Sequence, residues 1–436
     1  MKKILLLVMG VMMLVGSVSA QRKMAPKVSS VPAHRICGTP TLPDDFEKWM
    51  DDQIKADRAS GNTGKAHVVY TLPVVVHVIH NGNALGASYN LSDAQVLSQI
   101  AVLNEDYRKL NADASLVPTV WQGVAVDCEI NFCLAKKDPS GAATTGIDRI
   151  NRVTKSWTAP PFSQTYVDAT IKPNSIWNVN KYLNIWVCPL SGGLLGYATF
   201  PPASTLSGLT GSYGTTTTDG VVIQYNAFGR VGTLDATYNK GRSATHEIGH
   251  WLGLRHIWGD ANCGNDYCTD TPTQQTYNFG CPNFPQVTCS NGPNGDMWMN
   301  YMDYTDDPCM YMFSANQKTR MVTVLTHTPF RVSLAASDAC NPPVVAVNEN
   351  GELAKLAIYP NPTRGELTVL IAEQRSKGNV NFRVVNTIGA EVFNSSVPAN
   401  ASGNYKLNLT NLSQGFYFVE IRTAEGRRIE KFQIAR

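Results

Sequence analysis

The chain has 436 residues, 43% hydrophobic and 16% charged. At about 150 residues per domain this excludes one small domain or a disordered chain and fits roughly three structural units. The net charge of +3, with a pI near 8.2, is too small and too evenly spread for a nucleic-acid surface, which needs clustered Lys and Arg.

Residues 1–20, MKKILLLVMGVMMLVGSVSA, place Lys2 and Lys3 before an apolar run that ends in small residues. This is the pattern of an export signal cleaved after Ala20. The run is shorter than the roughly 20 residues of a spanning helix, and no later stretch reaches that length, so no membrane span is expected in the mature chain. Export carries the ten cysteines into an oxidising compartment. Residues 21–65 are polar and mixed. They hold the segment HRICGTP and a helix-like run from Asp44 to Arg58 that stops at Ser60-Gly61-Asn62, too little for a domain of its own. A β-branched run starting at Val68, VVYTLPVVVHVIH, opens a mixed region of strands and helices over residues 66–340. The pattern predicts a helix over Asp93–Lys109 and strands over Ile130–Lys136 and Tyr182–Pro189. Residues 341–353 read as a linker. Residues 354–436 alternate short apolar strands with Gly, Asn and Ser, the cadence of a small antiparallel sandwich. The fold class is therefore α+β, a mixed twisted sheet with an active-site helix, followed by a small all-β immunoglobulin-like sandwich.

The chemistry is concentrated in HEIGHWLGLRH, residues 246–256. On a helix His246 and His250 project from one face, Glu247 stands beside the first of them, and Gly253 permits the turn that returns His256 as a third ligand. Three imidazoles and one open position describe a catalytic zinc site, since structural sites usually carry four protein ligands. Zinc there acidifies a water and polarises the scissile carbonyl, with Glu247 as general base and no covalent acyl-enzyme. Between this motif and a later MNYMDYTDDPCM lies GDANCGNDYCTDTPTQ, where Asp266, Asp270, Thr269 and Thr271 offer the hard oxygen ligands that calcium uses.

HEIGHWLGLRH followed by DTPTQ and NYMDYTDDPCM resembles the pappalysin and cytophagalysin family of metzincin peptidases over roughly residues 66–337. The resemblance implies a Met-turn with Met302 beneath the zinc ligands, and Tyr304 as donor to the oxyanion. It also implies calcium at Asp266, Thr269 and Thr271, and disulfides joining Cys281 to Cys309 and Cys263 to Cys289. Cys268 departs from the family pattern, and Cys128, Cys133, Cys188 and Cys340 cannot be paired from sequence. LLGYATFP, Leu194–Pro201, resembles the family's edge strand, against which substrate would lie extended. Relatives that cut before Arg carry an acidic residue directly before the last Cys of this stretch. Pro308 stands there with Asp307 ahead of it, so an Arg preference is not expected.

HRICGTP resembles a metzincin Cys-switch, in which the Cys37 thiolate fills zinc's open position while Arg35 helps hold the segment in an acidic cleft. The alternative is a disulfide from Cys37 to one of the unassigned cysteines. LAIYPNPTRGELTV, VVNTIGAEV, LSQGFYFVEI and the terminal KFQIAR resemble a type IX secretion sorting domain, which implies that machinery as partner and a secreted or cell-surface location. The expected function is a secreted zinc endopeptidase acting on extracellular proteins. A pseudo-protease would need a broken motif and an adhesin an exposed binding cluster in the sandwich, and the sequence has neither.

Overall fold

The computed structural model describes residues 34–42, 44–61, 68–202, 213–343, 356–371, 378–424 and 426–436. The expected export signal, most of the linker and the expected prosegment boundary at residue 65 lie outside these. The chain divides into two compact units, Met1–Pro343 and Val344–Arg436. No described helix is long and apolar enough to cross a membrane.

The first unit is built on a six-stranded sheet. Strand β1 (Tyr70–His80) pairs in parallel with β2 (Ile130–Leu134) and, further along the same edge, with β3 (Ile147–Asn151). Its other edge takes β4 (Leu183–Cys188), also in parallel. β5 (Gly196–Ala198) and β6 (Val221–Gln224) complete the order β2-β1-β4-β6-β5, with β5 alone antiparallel. β1 and β4 are buried on both faces, which is why they read as continuous apolar runs and not as alternation. β5 is the last strand of the sheet on that side.

Two helices lie against one another behind the future site. The helix Asp93–Tyr107 is capped by Ser92, whose side chain accepts from the Gln95 amide. Its buried polar residues grip the helix Arg242–Trp251: Gln99 Nε2 donates to Gly241 O at 2.9 Å, Tyr107 Oη to Thr245 O at 3.0 Å, and Thr245 Oγ1 to Asp106 at 2.8 Å. Beyond the site, the helix Ala315–His327 starts at a Ser314–Gln317 capping box, whose Ser314 hydroxyl also donates to Asp270 at 2.7 Å. Arg331 forms a two-point pair with the buried Asp219, at 2.7 and 2.9 Å, over the Trp251 ring. Cys133 is joined to Cys340, which ties β2 to the end of this unit.

The segment before β1 packs as part of the unit. Its helix Asp44–Ala59 buries Phe46, Trp49 and Met50. The buried Glu47 carboxylate takes Arg255 Nε at 2.7 Å and both terminal nitrogens of Arg320, at 2.7 and 3.0 Å.

The second unit packs a four-stranded sheet against a three-stranded one. The first, in order β10-β9-β12-β13, consists of β9 (Asn379–Asn386), β10 (Glu391–Pro398), β12 (Gly415–Arg422) and β13 (Arg427–Ile434). The second, in order β11-β8-β7, consists of β7 (Leu356–Tyr359), β8 (Glu366–Ile371) and β11 (Asn404–Asn408). All its pairings are antiparallel. Every second residue of these strands enters the core, as with Leu367, Val369 and Ile371 or Val380, Phe382 and Val384, the alternation of a two-layer sandwich.

Glu47 is the charge on which the helix Asp44–Ala59 depends for its seat on the unit. Replacing it with the isosteric Gln leaves the buried Arg320 guanidinium without its carboxylate partner and Arg255 with only the exposed Asp44 at 3.9 Å, a loss of about 3–5 kcal/mol. In hydrogen exchange, Glu47→Gln should therefore raise the opening of the helix Asp44–Ala59 by about a hundredfold or more while the sheet keeps its protection. Unchanged protection of that helix would contradict the ion-pair account.

Candidate active site

The helix Arg242–Trp251 carries His246, Glu247 and His250, all buried. Gly253, at φ +85°, then turns the chain back to His256. A side chain there would be strained at that φ, and its Cβ would lie 2.8 Å from Val324. Each imidazole is held through Nδ1 by an oxygen acceptor: His246 by Tyr301 O at 2.7 Å, His250 by Leu254 O at 2.9 Å and His256 by the Asp260 carboxylate at 2.5 Å. Nδ1 therefore carries the proton and Nε2 a lone pair. The Nε2 atom of His250 lies 3.1 Å from those of both His246 and His256. Burial, with the neighbouring imidazoles adding, lowers His246 well below its ordinary value and brings His250 to about 3. Three neutral donors thus crowd one point with no hydrogen between them, an arrangement that calls for a cation, and zinc suits the nitrogen donor set.

Cys37 joins the group. Its Sγ and the three imidazoles offer ligand atoms within 4.8 Å of one another, the sole such cluster of three or more His, Cys, Asp or Glu among the described residues. Cys37 is a free thiol, as are Cys128, Cys188 and Cys268. It lies 3.3 Å from Glu247 Oε2, which also accepts from the Thr39 hydroxyl at 2.9 Å. Burial, then the Glu247 charge, pushes the Cys37 thiol well above its usual value, and burial raises Glu247 to about 7.

Main-chain pairing seats the segment on the edge strand. Leu195 N–H donates to Ile36 O at 3.0 Å, Gly38 N–H to Gly196 O at 2.9 Å, and Ala198 N–H to Thr39 Oγ1 at 2.8 Å. The Cys37–Gly196 bridge is parallel. Arg35 enters a closed pocket, where it donates to Asp307 Oδ1 at 2.7 Å and Ser243 Oγ at 3.1 Å. Asp307 Oδ2 accepts instead from the Lys240 and Arg242 amides at the start of the active-site helix, at 2.8 and 3.2 Å.

Met302 lies under the helix so closely that a Cβ on Gly249 would meet its Sδ at 2.5 Å. The Tyr304 ring is 5.0 Å from His256 and 5.8 Å from His246. Cys281 is joined to Cys309 and Cys263 to Cys289. The loop expected to hold calcium closes on itself. Asp266 accepts from the Thr271 hydroxyl at 2.9 Å and the Cys268 amide at 3.0 Å, while Thr269 Oγ1 lies 2.7 Å from the Asn316 amide. Asp266 and Thr271 come together through their side chains, the Thr269 hydroxyl turns to Asn316, and all three residues line one cavity. Asp270, the further oxygen donor of this loop, accepts from Ser314 and Asn316.

Sequence reasoning passed over Thr39, Glu47, Asp260, Arg255 and Arg320. Thr39, two residues after Cys37, was open to notice. The partners of Glu47 are more than 200 positions away, and nothing local marks them. Pro308, directly before Cys309, is exposed, and Asp307 is the buried carboxylate that receives the Arg35 guanidinium.

A nitrogen cluster of this kind beside the edge strand of the sheet is the site of a metallopeptidase. Residues 165–326 match the pregnancy-associated plasma protein-A peptidase family, and residues 357–435 match the secretion system C-terminal sorting domain. An extracellular metalloprotease of Pyricularia oryzae is 32% identical over 265 residues, 60% of this chain and 77% of that protein. One from Colletotrichum graminicola is 32% identical over 299 residues, 67% and 91%. Among solved structures, mirolysin in complex with compound 9 is 45% identical with TM-score 0.55, over 63% of this chain and all 100% of that one. A mutant of Tannerella forsythia promirolysin is 41% identical with TM-score 0.56, over 69% and 97%. The chain belongs to the pregnancy-associated plasma protein-A family of metzincin zinc metallopeptidases, and it is a secreted protein bearing a type IX sorting domain.

Asp260 fixes the tautomer of His256 from a residue outside the ligand motif. Asp260→Asn should weaken zinc binding about 10- to 100-fold, as loss of such an outer partner does. Competition against a zinc-chelating dye measures it, and an unchanged dissociation constant would deny Asp260 that part.

Proposed function

We propose that the chain is a latent proenzyme. Residues 1–20 direct export, residues 21–65 keep it inactive, residues 66–340 form the catalytic domain, and residues 354–436 address it to the type IX machinery. Freed of its prosegment, it is an endopeptidase for extracellular proteins. The observation that carries this reading is the convergence of Cys37 on the three imidazoles beside Glu247.

His246, His250 and His256 hold zinc through Nε2. When bound, zinc supplies a Lewis acid that polarises the scissile carbonyl and eases deprotonation of the attacking water. The Glu247 carboxylate takes that proton and passes it to the leaving amine, and its burial, which brings it to about 7, suits a group that must both accept and release. Tyr304 keeps its phenolic proton, because burial first and nearby negative charge second push it upward. It can therefore donate to the oxygen that becomes an oxyanion. The main-chain groups of Leu195, Gly196 and Ala198, now paired with the prosegment, are those an extended substrate would use. The free Oδ1 of Asp307 favours a basic side chain next to the scissile bond, the place Arg35 takes in the latent form.

Latency follows from the same contacts. Cys37 occupies the space of the attacking water, and Thr39 engages the base. Two variants test the reading. Glu247→Ala should abolish hydrolysis of casein and keep about one zinc per chain, because the carboxylate is not a ligand. Cys37→Ala should give a full-length chain that is active, or self-processing, from the start. Normal cleavage by Glu247→Ala, or a Cys37→Ala protein as latent as its parent, would reject the mechanism or the switch respectively.

A further inference from the structure

We propose that Tyr277 and Phe279 form an aromatic subsite for a planar side chain of the peptide substrate, at the residue next to the one that enters the Asp307 pocket and further from the scissile bond. The proposal rests on the reading of the site given above.

Both rings are 40% exposed even with the prosegment in place. The two rings pack on each other at 4.6 Å and still leave a face to solvent, a surface on which a planar group can stack. The segment that carries them is rigid. Asn278, between them, is buried and donates to Asp303 from its backbone at 2.7 Å and from its side chain at 2.9 Å, and Gln274 donates to the same carboxylate at 2.9 Å. The Cys281–Cys309 disulfide and the bond from Asp306 N–H to Gly280 O at 3.0 Å fasten the segment to the strip that carries Asp307. The aromatic wall and the carboxylate pocket are therefore fixed relative to each other.

The rings also form a continuous series with the catalytic centre. Trp258 stacks on His256 at 4.3 Å, Tyr277 meets Trp258 at 5.4 Å and lies parallel to Tyr304 at 5.4 Å, and Phe279 follows Tyr277 at 4.6 Å. The wall begins at the third ligand and leads outward. The prosegment supplies the spacing: as Arg35 reaches Asp307, the imidazole of His34, the adjacent residue, lies 4.5 Å from the Phe279 ring. A planar group thus already rests on this wall one residue from a guanidinium in the pocket. Because one side of the place is open to water, it rewards planar groups by stacking without excluding others, an effect of about two- to tenfold in rate for a ring pair of this kind.

The test uses processed enzyme and a set of peptides with Arg fixed at the residue that enters the Asp307 pocket. The next residue away from the cut is Phe, Tyr, Trp, His, Leu or Ala. The parent should prefer the planar members over Ala by about two- to tenfold in kcat/KM. Phe279→Ala should reduce that ratio to near one, and Phe279→Tyr should retain it. Equal rates for Ala and planar residues in the parent, or a preference that survives in Phe279→Ala, would overturn the subsite. Failure of the underlying reading looks different: an Arg-to-Ala change at the fixed position would then leave the parent's rate unaltered, or no peptide would be cut at all.

Discussion

Three lone pairs pointed at one another from neutral imidazoles repel, and that repulsion is the constraint around which this unit is arranged. Each ring is held in place from behind. Tyr301 O comes from the turn that carries Met302, Leu254 O from the reversal at Gly253, and the Asp260 carboxylate from the loop that follows. The helix Asp93–Tyr107 holds the helix that bears two of the rings, and the aromatic face of Trp258 presses on the third. Such an array is tolerable because a cation takes the lone pairs, so the fold stores a binding site in its most buried layer.

The segment around Cys37 is complementary to that site. Its backbone uses the edge strand's free hydrogen-bonding groups, Cys37 takes the remaining direction toward the imidazoles, Thr39 takes Glu247, and Arg35 neutralises Asp307. Glu47 anchors the segment a helix further on. Asp307 has two parts to play at once. One oxygen caps the active-site helix, where its charge favours the helix N-terminus, and the other is free for a cation. The carboxylate that helps position the active-site helix is thereby also the one that receives the Arg35 guanidinium.

Much of this was legible from order along the chain. The spacing of His246, Glu247, His250 and His256 is local, because helix periodicity and one glycine turn bring them together, and the strand starting in the β-branched run after Val68 is equally local. The edge strand around Gly196 was visible by resemblance. Ion pairs were not legible, since Glu47 meets Arg255 and Arg320 across more than 200 residues and, beside Asp44 and Asp45 in the first turn, it reads as ordinary helix-start acidity. Which of Asp307 and Pro308 faces inward was not legible either. In the short 3-10 turn Asp307–Cys309 it is the earlier residue that turns inward, while the proline faces water.

The central claim, that one buried nitrogen cluster is closed in the latent chain by the Cys37 sulfur, is tested most directly by the zinc K-edge absorption spectrum of the zinc-loaded protein before and after prosegment removal. The account predicts three nitrogen neighbours at about 2.0–2.1 Å and one sulfur at about 2.3 Å in the full-length chain. The sulfur shell should vanish on processing, with light-atom scattering in its place. A full-length spectrum without sulfur, or a sulfur shell that persists after the prosegment is gone, would contradict it.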